Sequence, residues 1–417
     1  MKKITALLLV VISILSITAC NNNGSKLVKA REYKTDYAIT FAYSKFNGQR
    51  TETLNLDEGR EVHFNIESES GTLDMVIEDS NGNTVFEKYW IQNEEFAVQL
   101  DAGEYKIVID GWDHVGSYNI MWAMPKASST EYVNPYSDLP KGGQWLKSSF
   151  HAHSGEGFKP LDLVLDAHVQ TQFDVLAITN NNVYTDTSLR TTPKLLMVPG
   201  VEYAPEKSGH MLHIGVDESF HKMGWQDAIN KVNEKGGFTI MAHPNANGQG
   251  RWYANELLML DGYSGIEVIN QTVYRLGGSG LATDVWDFLL KRGKMVFGFG
   301  NDGLHVIGDI GRSYNLIYST DKSYESIKEA IDKGQFVATT GLYPDYLRLE
   351  GDTIKVKVKY PINTYANTFT YRFIADGKVV SVQTGTDAQY KLNGEKYVRV
   401  EAIGENGFMI FFQPVYL

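Results

Sequence analysis

The chain has 417 residues, 43% hydrophobic and 21% charged, with a formal net charge of −11. That length exceeds what one core supports, so more than one domain is expected, and the composition is that of a folded rather than a disordered protein. The acidic balance excludes nucleic acid and anionic lipid as partners recruited by charge alone.

Residues 1–20 read MKKITALLLVVISILSITAC, two lysines before an apolar stretch that closes in small residues at Cys20. This is the pattern of an export signal. The stretch is short beside the roughly 20 apolar residues of a spanning helix. "ITAC" resembles the bacterial lipobox, which implies lipidation of Cys20 and anchorage of an exported protein to a membrane of the cell envelope. Cys20 is the single cysteine, so it has no disulfide partner within the chain. Residues 21–30 open with NNNGSK and suit a flexible tether.

From 31 to 125, short runs such as EVHFNIE, LDMVIED and YKIVIDG alternate apolar with polar residues, separated by turn signals such as DSNGN. That pattern predicts a β-sandwich. His63 and His114 are isolated within it and are read as structural. Residues 126–145 are rich in Ser, Pro, Gly and Asn and read as a linker.

At 146 the pattern changes. Apolar runs (WLKSSFHAH, FDVLAIT, LLMVPGVEY, FTIMAHP, GIEVIN, KMVFGFG, YNLIYS) follow one another. Amphipathic segments such as PLDLVLDAHVQTQ, WQDAINKVNEKGG and ATDVWDFLLKRGK lie between several of them. Strands with helical crossovers predict a parallel α/β barrel of seven or eight units over 146–343, with HMLHIGVD as an added strand. Residues 344–417 return to strand-like alternation and predict a small C-terminal β unit.

The chemistry gathers in the barrel segment. Eight of the ten histidines fall between 151 and 305. His151 and His153 end the first strand, and a spacing of two aims both imidazoles at one face. Glu202 ends a later strand, His243 ends another, and Asp302 and His305 follow FGFG. The C-terminal ends of barrel strands carry active sites, so this collection of imidazoles and carboxylates predicts a two-metal cage. In GHMLH, His210 and His213 are three apart and point to opposite faces of a regular strand, so the two do not serve one site together. His168, in a helical pattern, and His221, in a polar loop, are read as non-ligands.

The ordered series HxH, GxE, GH, AHP and D…H resembles the PHP (polymerase and histidinol phosphatase) superfamily of metal-dependent phosphoesterases, closest to a branch with carbamate-ester hydrolases. The resemblance covers about 146–343. It implies a distorted (β/α)7 barrel with divalent transition metals, zinc, manganese or iron. It also implies a first metal on His151, His153, Glu202 and Asp302, and a second on Glu202, His210 and His243. A third position in the family would use His305. The family's T-D-H-N motif is ITNNN here, so Asn180 and Asn181 stand where an acid and a histidine are expected, and Glu156 is the remaining nearby acid. Two metals, rather than three, are therefore expected. Arg251 and Arg312, on loops of the same face, and Asn181 are candidate contacts for a small phosphoester or related ester. The alternative is a degenerate surface-binding module that no longer hydrolyses anything; the substitutions at Asn180 and Asn181 favour it.

Overall fold

The computed structural model describes residues 26–28, 30–35, 37–123, 134–155, 159–205, 209–247, 250–361 and 368–416. The export signal, Cys20 and Glu156 lie outside the described residues. The chain divides into two compact units, one drawn from Met1–Lys126 and Tyr253–Met259, the other from Ala127–Trp252 and Leu260–Leu417.

The first unit is one seven-stranded antiparallel sheet dominated by three long strands, Ala38–Leu56, Arg60–Asp79 and Gly103–Met121. Short sandwich strands were expected; instead each long strand bends at irregularities in its pairing and serves both layers. The inward residues show it. Val62, Phe64 and Ile66 face the core on even positions, whereas Leu73, Met75 and Ile77 face it on odd ones. The switch falls at the register shifts between Ser68 and Thr72, because one extra residue inverts the period of two. Gly71 makes the bend possible: its φ is +72°, and a Cβ there would lie 2.4 Å from the carbonyl oxygens of Trp112 and Asp113. In this unit His114 is buried, its ring nitrogens 2.9 Å from the Tyr43 hydroxyl and 2.6 Å from that of Ser68.

Among the described residues the second unit holds three sheets. A ten-stranded sheet begins with the parallel strands Leu196–Val198, Val175–Ala177 and Gln144–Ser149, then continues antiparallel through Tyr314–Ser319 and Phe336–Thr339 into the C-terminal strands. A five-stranded sheet runs Gly200–Tyr203, Met211–Ile214, Phe238–Met241, Gly265–Asn270 and Phe297–Asn301. Between the two lies a core that includes Phe150, Leu212, Phe238, Ile240 and Phe299. The three long amphipathic segments form the helices Leu161–Gln170, Trp225–Glu234 and Thr283–Lys291.

The expected closed (β/α)7 barrel is not formed as one sheet. Both edges of Gln144–Ser149 are occupied, by Val175–Ala177 on one side and Tyr314–Ser319 on the other. Phe297–Asn301 therefore has no free edge to join there. The run LLMVPGVEY also divides at Pro199, its halves entering different sheets. Proline lacks the N–H that a continuing ladder needs. Among the links between the two sheets are two single bridges, Asn181 with Glu202 and Ala152 with Leu304. Those bridges sit among the histidines.

Candidate metal centre

His151 and His153 flank Ala152, whose bridge to Leu304 is fixed by His153 N–H donating to the Leu304 carbonyl at 3.1 Å and Leu304 N–H to the His151 carbonyl at 3.2 Å. This extended backbone turns both rings to one side, 5.3 Å apart between centroids. Glu202 is held from the other bridge: its N–H donates to Asn180 O at 3.2 Å, and its carbonyl accepts from Asn182 N–H at 2.7 Å.

Four imidazoles surround the buried carboxylate of Glu202, two on each oxygen. Oε2 lies 3.3 Å from Nε2 of His151 and 3.3 Å from Nε2 of His153. Oε1 lies 2.8 Å from Nδ1 of His210 and 3.3 Å from Nε2 of His243. Donor atoms of His151, Glu202 and His243 all fall within 4.8 Å of one another. Two ligands each about 2.1 Å from a tetrahedral ion lie about 3.4 Å apart. The 3.3 Å separations match that edge, and the N/O donor set suits zinc, manganese or iron. His151, Glu202 and His243 form a donor group that fits a divalent cation.

A second carboxylate, Glu267, orders this set. It sits in Gly265–Asn270, a strand buried at every position. Its Oε1 accepts from His151 Nδ1 at 2.8 Å and from Asn301 Nδ2 at 2.9 Å. Its Oε2 accepts from the His243 backbone N–H and Asn270 Nδ2, each at 2.8 Å. A carboxylate on Nδ1 fixes the histidine tautomer and directs Nε2 toward the ion. His243 has φ +31°, a conformation costly for a residue with a Cβ; the bond from its N–H to Glu267 holds it there. Glu267 was not singled out from the sequence, although an acid amid the apolar run GIEVIN was the available signal.

Charge accumulates accordingly. Burial alone would lower the His151 pKa, but Glu267 and Glu202 overcome it and raise it to about 10. Burial lowers His153 to about 3, with its histidine neighbours adding to the effect. Burial opposes ionisation of Glu202, yet the surrounding imidazoles hold it well below the ordinary range.

His151, His153, Glu202, His210, His243 and His305 line one cavity of about 360 Å³, with Asn181, Asn270 and Thr272 on its walls. Gly250 packs against the second pair: a Cβ there would lie 2.6 Å from His243 and 3.0 Å from His210. The His305 ring is 4.6 Å from that of His153, and its Nδ1 lies 2.7 Å from the Gly303 carbonyl. Asn180 is committed elsewhere, accepting from Ser154 N–H at 2.9 Å and donating to the Thr185 hydroxyl at 2.7 Å.

The structure does not bring every expected residue to the cavity. Asp302 is buried, but its carboxylate accepts from the N–H groups of Gly311, Arg312 and Ser313 at 2.7, 2.8 and 2.8 Å. Alternation explains this, because Asn301 faces Glu267 and its neighbour faces away. Asp302 anchors a turn and is not among the cavity-lining residues. Burial raises its pKa to about 7, despite those three bonds. Arg251 lines a neighbouring cavity of about 410 Å³ and Arg312 another of about 830 Å³, not the histidine cavity. His213 lies on the far face of Met211–Ile214 beside the Tyr203 and Phe220 rings, at 5.6 and 5.9 Å. His168 is buried in a helix with Nδ1 2.8 Å from the Val164 carbonyl. His221 lies 3.0 Å from the Ser219 hydroxyl, away from the cavity.

No protein-family model and no curated protein matches the chain. Among solved structures it is similar to a two-domain protein from Bacteroides vulgatus containing a predicted PHP-like metal-dependent phosphoesterase, at 15% identity and a TM-score of 0.41, covering 68% of this chain and 92% of that one. It is also similar to the pre-peptidase C-terminal domain of a collagenase from Bacillus anthracis, at 14% identity and a TM-score of 0.17, covering 20% of this chain and 85% of that one. Similarities at this level carry no functional weight.

Proposed function

We propose that the second unit binds two divalent transition-metal ions bridged by Glu202 and hydrolyses a phosphoester or related ester of small size. The observation that carries this reading is the division of four imidazoles between the two oxygens of one buried carboxylate. The ordered HxH, GxE, GH and AHP motifs, similar to the PHP superfamily, agree with it. Bound divalent ions supply Lewis acidity and an acidic water at neutral pH.

The chain's own residues do the rest. His151 and His153 serve the Oε2 side, and His210 and His243 the Oε1 side. Glu267 keeps the His151 proton on Nδ1, leaving Nε2 as a donor of electrons. His305 is oriented in the same way by the Gly303 carbonyl. Asn181, Asn270 and Thr272 offer hydrogen bonds to ester oxygens from the cavity wall. Arg251 and Arg312 are left for portions of substrate that extend beyond the cavity. The export and lipid anchorage in this reading rest on the sequence around Cys20 alone.

The test is turnover of a panel of phosphomonoesters, phosphodiesters and carbamate esters by protein loaded with zinc, manganese or iron(II), against Glu202→Gln. Metal-dependent turnover lost in the variant supports the reading. A second reading, a metal-binding module without hydrolysis, is favoured by Asn180, whose amide is bonded to Ser154 and Thr185 where the resembled family supplies an acid. Two bound metals with no turnover across the panel would select it.

A further inference from the structure

The first unit carries an exposed surface that the metal centre does not use. Three aromatic side chains stand open to solvent there: Trp90 at 76%, Trp112 at 59% and Tyr89 at 52% exposure. Trp112 and Tyr89 share one face of the sheet, and Trp90 adjoins Tyr89 in sequence. Trp112 pairs with Thr72, and two residues along, Asp110 pairs with Asp74. The register is continuous between those pairs, so Trp112 and Asp110 project to the same side as Thr72 and Asp74. On the opposite flank of Arg60–Asp79, Glu87 pairs with Val76, and Tyr89 follows it by two.

The pairing then breaks. Leu73 is opposite Ile91 and Met75 opposite Lys88, so Tyr89 and Trp90 together face the single residue Asp74. This is a bulge, a device that re-aims a side chain. Trp90 adopts φ +59°, and its N–H donates to Asp74 Oδ1 at 2.8 Å. A large aromatic residue held in the left-handed region and left three-quarters exposed contributes nothing to this unit's core.

The order across the face is thus Trp112, the Asp110–Asp74 pair, then Tyr89 and Trp90. Two carboxylates directly opposite one another in neighbouring strands repel. Neither makes an ion pair among the described residues. The same-face cation along Gly103–Met121 is Lys106, already 3.2 Å from Glu78. The surface is therefore acidic and aromatic, with hydrogen-bond acceptors between its rings.

That chemistry selects the ligand. Anionic polymers and lipid surfaces are repelled. A single quaternary cation needs several rings within about 6 Å of it. Here Trp112 and Tyr89 sit on strands either side of Arg60–Asp79, about 10 Å apart from strand spacing. A neutral chain of sugars satisfies both demands. Its C–H faces lie on the rings, its hydroxyls donate to the carboxylates, and two successive sugar units span about that separation.

We propose that this face, centred on Trp90, Trp112 and the Asp74–Asp110 pair, is a binding site for a neutral polysaccharide. It is independent of the metal centre and of any hydrolysis there. The site holds a glycan by stacking and hydroxyl hydrogen bonds, with no covalent step.

The experiment uses the full chain in native affinity electrophoresis through gels containing laminarin, xyloglucan, galactan or soluble xylan, with heparin and polylysine as charged controls. Tryptophan fluorescence titration with the corresponding oligosaccharides gives the affinity. At least one neutral polysaccharide is expected to retard the protein. Trp90→Ala and Trp112→Ala are each expected to weaken that binding about 5- to 10-fold, the scale of a lost ring contact. Trp90→Phe should recover part of it. Metal content and thermal midpoint should be unchanged in all three variants, since these side chains are exposed. Retardation by polylysine alone, by no neutral polysaccharide, or equally by the wild type and both alanine variants would overturn the proposal.

Discussion

Replacing Glu267 with glutamine is the most informative single change in the second unit. It keeps the shape of the side chain and removes only its charge and half of its accepting capacity. All four neighbours are donors: His151 Nδ1 and Asn301 Nδ2 on one oxygen, His243 N–H and Asn270 Nδ2 on the other. A glutamine amide nitrogen accepts from none of them. Whichever way the amide turns, two of the four donors lose their acceptor. Each buried donor left unsatisfied costs about 1–3 kcal/mol, so Glu267→Gln should destabilise the unit by about 2–6 kcal/mol. Metal affinity should fall about 10- to 100-fold, the usual effect of removing a carboxylate behind a histidine ligand. Competition with a chelator of known affinity measures the second quantity, and urea unfolding the first. A purely structural role would leave His151 unaffected, whereas here the proton on its ring depends on Glu267. In metal-free protein its pKa, near 10 with both carboxylates present, should fall markedly in the variant, as followed by the imidazole NMR resonances. The sign for stability follows. The folded pKa is raised, so the His151 contribution is complete below pH 6.5 and lost as pH rises through about 10. A folded Glu267→Gln protein with metal affinity within twofold of wild type would refute the argument.

His210→Ala should lower metal stoichiometry by about one, whereas His213→Phe should leave it unchanged, because His213 packs on the far side of the strand beside Tyr203 and Phe220; elemental analysis of both variants checks this. Asp302→Asn should cost about 1–3 kcal/mol by weakening the anchor of the 311–313 turn while leaving metal content intact, and loss of a metal instead would return Asp302 to the ligand set. Burial lowers His114 from 6.5 to about 4, so the unfolded state takes up the proton first as pH falls. The first unit should lose stability between pH 6.5 and 4, by on the order of 3 kcal/mol. Urea midpoints across that range should show the loss, and His114→Gln should flatten it.

What could be read from the sequence follows from how local the governing physics is. The helices Leu161–Gln170, Trp225–Glu234 and Thr283–Lys291 declare themselves because an amphipathic repeat needs no partner to be recognised. His151 and His153 meet because a period of two is a property of any extended segment. The same rule, applied to Asn301 and Asp302, separates them, and the family resemblance that implies Asp302 as a ligand carries no information about that parity. Glu267 announced itself only as an acid inside the apolar run GIEVIN, and the four donors it faces come from segments that no local pattern places beside it. Barrel closure was not legible because it depends on which strands compete for an edge. Tyr314–Ser319 takes the edge of Gln144–Ser149, and no pattern within either segment reports that outcome. The bulged, double-duty strands of the first unit read as several short ones for a related reason. Each change of inward parity looks like a strand boundary until the pairing partner is known.

The proposed chemistry of the second unit depends on Glu202 dividing the histidines into two metal subsites. Metal content per folded chain decides it, measured by elemental analysis after reconstitution with zinc, manganese or iron(II) and gentle dialysis. The wild type should retain two ions and Glu202→Gln should fail to retain the pair. Folded wild-type protein that emerges without metal, or that holds three ions tightly, would contradict the account.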